Sequence, residues 1–345
     1  MQAFTLDPSD AAARANAVGA IVCEVVKRDG SRVLGKGHVL TASDLPLLEG
    51  VQPAIHMVRL AVDDLHEDEA GLRLARALAG DGLTVREPVQ SRVNIVANRK
   101  GLLRIDSARL NAMNEIFGVA VFSLLDRIPV LPGKNVAGAK ITPVAIPRTA
   151  IEAAEAIAAG DSVMTVKPYL SRKVGVVTTE GLRGALQARF QQTVRTKLGW
   201  FGSEVIGFCD VPDTAGDVAH AIESFVAQGA TLILTGGGNT IDPLDATISS
   251  LPLLDAELIS FGAPAHPGSM FWLAAAGDLP IVNLASCSMY SRSTIADLVL
   301  PWIMAGERIT KSDMAGLGYG GLLDRDMSFR FPSYASESVD ESAAD

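Results

Sequence analysis

Residues 230–245 read Ala230-Thr231-Leu232-Ile233-Leu234-Thr235-Gly236-Gly237-Gly238-Asn239-Thr240-Ile241-Asp242-Pro243-Leu244-Asp245, and their reading decides the fold. The apolar run over 230–234 predicts a central strand, because a strand without polar alternation must be covered on both faces. Three glycines follow, where the backbone can take positive φ and a ligand can approach without meeting a Cβ. Two carboxylates, Asp242 and Asp245, then lead into the next helix. A strand running into glycines and acids marks the carboxyl edge of an open α/β sheet, where ligands bind. A plain glycine turn after a core strand accounts for the same residues equally well.

Outward from this stretch, residues 160–310 alternate between strand and helix patterns. Strands are expected at 173–178 and 204–209, with an amphipathic helix at 214–228 that places Val218, Ala221, Ile222, Phe225 and Val226 at helical spacing. A long helix fills 182–198, and a short one follows at 246–250. Beyond them come a strand at 256–261, a hairpin turning at Gly277-Asp278, and a last helix over 291–304. Such repeats imply a parallel sheet with right-handed crossovers and helices on both faces, an α/β three-layer arrangement.

Residues 1–150 differ. Short strands and turns surround an amphipathic helix at 67–79, which suggests a smaller α+β, β-rich accessory region. Thr41 or Ser43 is placed to cap a short helix. His56 reads as structural, and Arg99, Lys100 and Arg104 as a solvated turn rather than an anion site. A connecting helix at 151–159 ends at Gly160. Residues 332–345 carry acids and small polar residues with no base, which predicts a disordered acidic tail.

The chain of 345 residues has 48% apolar and 20% charged residues, which is ordinary for a globular protein. A net charge of −9 argues against a nucleic-acid surface, though backbone amides at a helix start can still hold a phosphate. No uninterrupted apolar window is long enough for a membrane span, and residues 1–7 lack a secretory pattern. Cys23, Cys209 and Cys287 form no metal or disulfide spacing. The expectation is a cytoplasmic protein with no membrane or nucleic-acid partner.

The loops after the predicted strands supply the candidate site. They are Thr178-Thr179-Glu180-Gly181, Asp210-Val211-Pro212-Asp213, the glycine stretch, and Gly262-Ala263-Pro264-Ala265-His266-Pro267-Gly268-Ser269. Hydroxyls, backbone amides and one or two acids suit a phosphorylated ligand, with a carboxylate available for Mg²⁺. The glycines match neither a dinucleotide fingerprint nor a P-loop. Asp213 has a helix cap before Thr214 as its competing role, and His266 a local hydrogen bond. Cys287 reads as a small buried residue.

Taken in order, these pieces resemble the molybdopterin-binding domain shared by molybdopterin adenylyltransferases and molybdopterin molybdotransferases. The likeness runs over residues 173–306. More faintly, Gly37-His38-Val39-Leu40-Thr41-Ala42-Ser43-Asp44-Leu45 and Pro132-Gly133-Lys134-Asn135-Val136 resemble molybdotransferase accessory domains. The resemblance implies a molybdopterin-binding α/β fold and a role in molybdenum cofactor biosynthesis. It places the binding set at Thr178, Thr179, Glu180, Asp213, Thr235, Gly236, Gly237, Gly238, Asn239, His266, Pro267, Gly268, Ser269 and Ser286. Asp245 would be the catalytic, Mg²⁺-holding acid, with Asp242 its rival.

This chain departs from the family pattern at three places. Residues 183–190 lack an Asp-Ser-Asn element, His266 and Ser269 stand where lysines flank the first Pro-Gly, and Leu284-Ala285-Ser286-Cys287-Ser288 replaces the second Pro-Gly. Two functions therefore stay open. One is adenylyl transfer to molybdopterin or molybdate insertion, using ATP or molybdate. The other is a non-catalytic carrier or insertion chaperone that delivers cofactor to a molybdoenzyme client. A nucleotide pyrophosphatase is a weaker third. Relatives with this domain self-associate, so a homo-oligomer is expected.

Overall fold

The computed structural model describes residues 1–89, 91–236, 242, 244–284 and 294–335. Its chain divides into two units. Unit one holds residues 1–99, 103–126 and 132–166; unit two holds 100–102, 127–131 and 167–345. Unit one mixes helices with several small sheets, and unit two mixes helices with a six-stranded sheet.

Unit one is built from small antiparallel sheets. Gln2–Leu6, Ile55–Arg59 and Ile21–Val22 form one. Val119–Ser123, Asn135–Ile141, Val93–Ala97 and Leu83–Val85 form another. The helix Glu67–Leu78 buries Ala70, Leu74, Ala75 and Leu78, the stripe its spacing predicts. Thr41 caps the turn at Ala42–Leu48, as expected. Two of the three basic residues read as a solvated turn carry partly exposed ion pairs. Arg99 pairs with Asp81, and Arg104 with Asp126.

Unit two follows the strand–helix alternation. Its strands are β1 (Lys173–Thr178), β2 (Glu204–Asp210), β3 (Leu232–Gly236), β4 (Glu257–Phe261), β5 (Trp272–Ala276) and β6 (Leu279–Leu284). Its helices are α1 (Gly184–Trp200), α2 (Ala215–Ala227), α3 (Ala246–Ser249), α4 (Ile295–Met304) and α5 (Lys311–Gly316). The sheet order is β2-β1-β3-β6-β5-β4. The first four are parallel, and β5 and β4 join antiparallel through the predicted hairpin.

Successive residues on a strand point to opposite faces, so each apolar strand feeds two cores. Val174, Val176, Leu232, Leu234, Val282 and Leu284 pack with Phe190, Val194 and Leu198 of α1 and with Ile295, Val299 and Ile303 of α4. Val177, Ile233 and Ile281 pack with Val218, Ile222 and Phe225 of α2 and with Ala246 of α3. Each fully buried aliphatic or aromatic side chain contributes roughly 1.5–3 kcal/mol. Phe225 needs bare backbone beneath it. A Cβ at Gly175 would lie 2.5 Å from its Cγ, and one at the register partner Gly207 would lie 2.6 Å from its Cε1.

The tail expectation needs correction at its start. Pro332 is buried and the Tyr334 hydroxyl is bonded to Asp297, so the chain is anchored as far as Tyr334. Composition cannot reveal such a tertiary anchor. Residues 336–345, and residues 291–293 of the last expected helix, lie outside the described residues. Among the described residues no helix is long and apolar enough to cross a membrane.

Candidate functional site at the carboxyl edge of unit two

The four parallel strands end in one register row: Asp210, Thr178, Gly236 and Leu284. Asp210 organises its outer end. Its Oδ1 accepts from Thr178 Oγ1 at 2.8 Å and from the Gly181 amide at 3.2 Å; its Oδ2 accepts from Arg183 Nη1 at 2.8 Å. Burial pushes the Asp210 carboxyl up, and the bonds from Arg183, Thr178 and Gly181 outweigh it, leaving its pKa below the ordinary value.

Arg183 is anchored on one side and 73% exposed. Its Nη1 also donates to Leu182 O at 2.8 Å. The fork geometry of a guanidinium leaves further donors for an anion. Arg183 also occupies the cap position of the 17-residue α1, with no side-chain cap and no acid in the first turn. Positive helix-end potential and a guanidinium therefore coincide.

One residue inward, Thr235 and Asn283 are register partners, both buried, with Thr235 Oγ1 3.4 Å from Asn283 Oδ1. The antiparallel ladder of β5 on β6 pairs Leu273 with Val282, which sets Trp272 beside this row. Trp272 is fully buried, and among the described residues its Nε1 has no hydrogen-bond partner. Buried polar groups are normally paired, so an orphan indole N–H beside this edge is unusual.

The two candidate acids differ. Asp245 is buried and caps α3, its Oδ1 accepting from Thr247 N at 2.9 Å, from Ile248 N at 3.3 Å and from the Thr247 hydroxyl. Asp242 is exposed, and its Oδ1 accepts from Leu244 N at 2.9 Å. Among the described residues no group of three or more His, Cys, Asp or Glu side chains is arranged to hold a metal ion.

The Pro-Gly loop lies against the start of α4. Ile295 N donates to Pro267 O at 3.3 Å. Gly268 is buried at φ +114°, and a Cβ there would stand 2.6 Å from Ile295 Cγ2, so both conformation and space demand glycine. His266 is exposed, with its backbone bonded to Gly321 and Leu323. Ser269 is exposed, and its carbonyl accepts from Ala263 N at 3.0 Å.

The structure thus joins Thr178 to Asp210 and Arg183, and Thr235 to Asn283. Thr179 is half-buried; Glu180 and Asp213 are exposed. Asp213 does not cap α2, because Thr214 does so by accepting from Asp217 N at 3.2 Å. Gly237, Gly238, Asn239 and Ser286 lie outside the described residues, as does Cys287. The sequence reading has Asp210 in a candidate loop but not in the binding set, and leaves Arg183, Asn283 and Trp272 out altogether. Asp210 at the end of an apolar strand was the one usable signal.

No family model matches the chain. No curated protein matches it either. Among solved structures it is similar to the molybdopterin biosynthesis Mog protein from Mycobacterium ulcerans. The identity is 21%, over 39% of this chain and 95% of that one, with a TM-score of 0.32. It is also similar to the molybdopterin biosynthesis MoeA protein from Pyrococcus horikosii. There the identity is 13%, over 61% of this chain and 68% of that one, with a TM-score of 0.31.

Proposed function

We propose that the carboxyl edge of unit two binds the phosphorylated pterin molybdopterin, and that the protein holds this ligand for molybdenum cofactor biosynthesis. The observation that carries the reading is the Asp210 bracket, which fixes Arg183 at the unacidified start of α1. The ordered motifs from Thr178 to Ser269, which resemble the molybdopterin-binding domain, support it, as do the helices on both faces of the sheet.

In this reading Arg183 and the first-turn amides of α1 neutralise the phosphate. Gly236 and Gly268 let the ligand approach the backbone. Thr235 and Asn283, buried one residue inward, hold the strand ends together beneath the ligand. The exposed donor set fits the phosphate of a phosphorylated pterin. It fits Mg²⁺ less well, because the Asp245 Oδ1 is already used as a helix cap. No metal-dependent step is assigned, and holding is favoured over adenylyl transfer or molybdate insertion.

The test is to incubate purified protein with molybdopterin, with and without Mg²⁺, ATP and molybdate, and to identify bound and released pterins. Retained, unaltered pterin is expected. Arg183→Ala should weaken retention about tenfold or more, the effect of losing one charge-assisted hydrogen bond. An adenylated or metal-loaded product would replace the holding role with catalysis. Absence of any retained pterin would overturn the ligand.

A further inference from the structure

The Pro-Gly loop is held from outside by the end of the chain. Residues after α5 return to the loop: His266 N donates to Gly321 O at 2.8 Å, and Leu323 N donates to His266 O at 2.7 Å. The segment is then tied to itself and to the core. Arg330 Nη1 donates to Gly320 O at 2.6 Å, Phe331 is buried in the α1–α4 core, and Leu323 packs against that core.

Its last described anchor is Tyr334, whose hydroxyl donates to Asp297 Oδ1 at 2.8 Å. Asp297 is fully buried, and its Oδ1 also pairs with the buried Lys197 Nζ at 2.8 Å. Its Oδ2 accepts from Thr294 N at 3.0 Å and from Thr294 Oγ1 at 2.9 Å. Thr294 and Ile295 open α4, and Ile295 is the residue on which Pro267 and Gly268 rest. The loop is thus gripped twice: at His266 by the returning chain, and at Gly268 by a helix start whose buried acid the same chain secures.

We propose that residues 317–334 form a strap that fixes the position of the 266–269 loop, with Tyr334 as the positioning residue that closes it. The strap's bearing on ligand binding rests on the reading of that loop as part of the ligand site. A strap that only filled core volume would need Phe331 and Leu323 and not a phenol aimed at a buried carboxylate. Tyr334 adds a directional contact at the residue that orders the start of α4. Desolvation by burial, and then the Asp297 charge, push its phenol well above the ordinary value, so the hydroxyl stays a donor.

The experiment is amide hydrogen exchange on the full chain and on Tyr334→Phe, which removes one oxygen and keeps the ring. Local opening is read residue by residue. Exchange at His266, Ile295 and Leu323 should accelerate about tenfold, the effect of losing one hydrogen bond to a charged group, while Val176, Ile233 and Val282 stay unchanged. No acceleration, or equal acceleration in the sheet, would overturn the strap. A chain ending at Phe331 is the second variant and should give the same local pattern, with the sheet amides reporting that it folds.

Molybdopterin retention measured on the same samples separates the two readings. Wild-type chain that retains pterin, with Tyr334→Phe retaining it several-fold less at unchanged Arg183, is the expected result. Wild-type chain that retains none would overturn the ligand reading alone, and the exchange pattern would still decide the strap.

Discussion

Each unit buries an acid in the first turn of a helix, and the two acids are treated in opposite ways. In unit two, Asp297 receives Lys197, Tyr334 and both donors of Thr294. In unit one, Glu67 opens the helix Glu67–Leu78 at 4% exposure, and among the described residues its Oε2 has no hydrogen-bond partner. The difference shows what a buried charge is kept for. Asp297 joins three segments far apart in sequence, so its desolvation is offset by contacts that fix the fold around the candidate site. Glu67 leaves a buried oxygen unpaired and costs stability locally.

The largest expected effect is at the satisfied acid. Asp297→Ala leaves the Lys197 ammonium buried without its counter-ion, and removing one partner of a buried pair costs about 3–5 kcal/mol. All three tryptophans, Trp200, Trp272 and Trp302, belong to unit two, so their emission in urea follows that unit. A midpoint shifted by less than a quarter of the wild-type value would mean the network adds little beyond packing. Glu67→Met should act in the other direction. It keeps the chain length, removes the orphan oxygen and should stabilise unit one by about 1–3 kcal/mol. Exchange at Met57 and Ile95 reads that unit, and a loss of protection there would show that the orphan oxygen serves an interaction of its own.

The contrast between the acids also marks what a sequence can carry. The strands of unit two were legible because their apolar runs have no alternation, and the strand before the glycines was misplaced only at its ends. It runs Leu232–Gly236 because Thr235 and Gly236 continue the ladder to Asn283 and Leu284. The capping role that competes with ligand binding at Asp213 falls one residue on, since Asp and Thr are both good caps and only geometry chooses Thr214. Asp210 and Arg183 are 27 residues apart and meet only because parallel register sets the end of β2 beside the end of β1, from which the chain runs on to Arg183. Tyr334 was hidden for the same reason, as its neighbours' composition says nothing about a partner 37 positions earlier. In unit one, the apolar run over 20–26 reads as one strand and yet forms two pieces, Ile21–Val22 and Val26–Arg28, because the second pairs with Ser31–Leu34 in a separate hairpin.

The smallest expected effect again sets one unit against the other, through their hydrogen-bonded surface acids. In unit one, the Asp44 carboxylate accepts from the Thr41 hydroxyl at 2.6 Å and from the Thr41 amide at 2.8 Å, and lies 2.8 Å from His38 Nε2. The Thr41 hydroxyl bond first, and then His38, hold its pKa at about 2. A carboxyl depressed in the folded state binds its proton more readily when unfolded, so its contribution is present above the unfolded value of about 3.9 and is lost as pH falls toward the folded one. Asp210 in unit two is depressed in the same sense by Arg183, Thr178 and Gly181 against burial. Asp44→Asn should therefore flatten the acid decline in unit-one protection and leave the tryptophan-reported decline of unit two unchanged, while Asp210→Asn should do the reverse. Each variant read by both signals across roughly pH 5 to 2.5 decides it. If either substitution flattens both declines together, the two units do not lose stability independently in acid, and the contrast between them fails at this level.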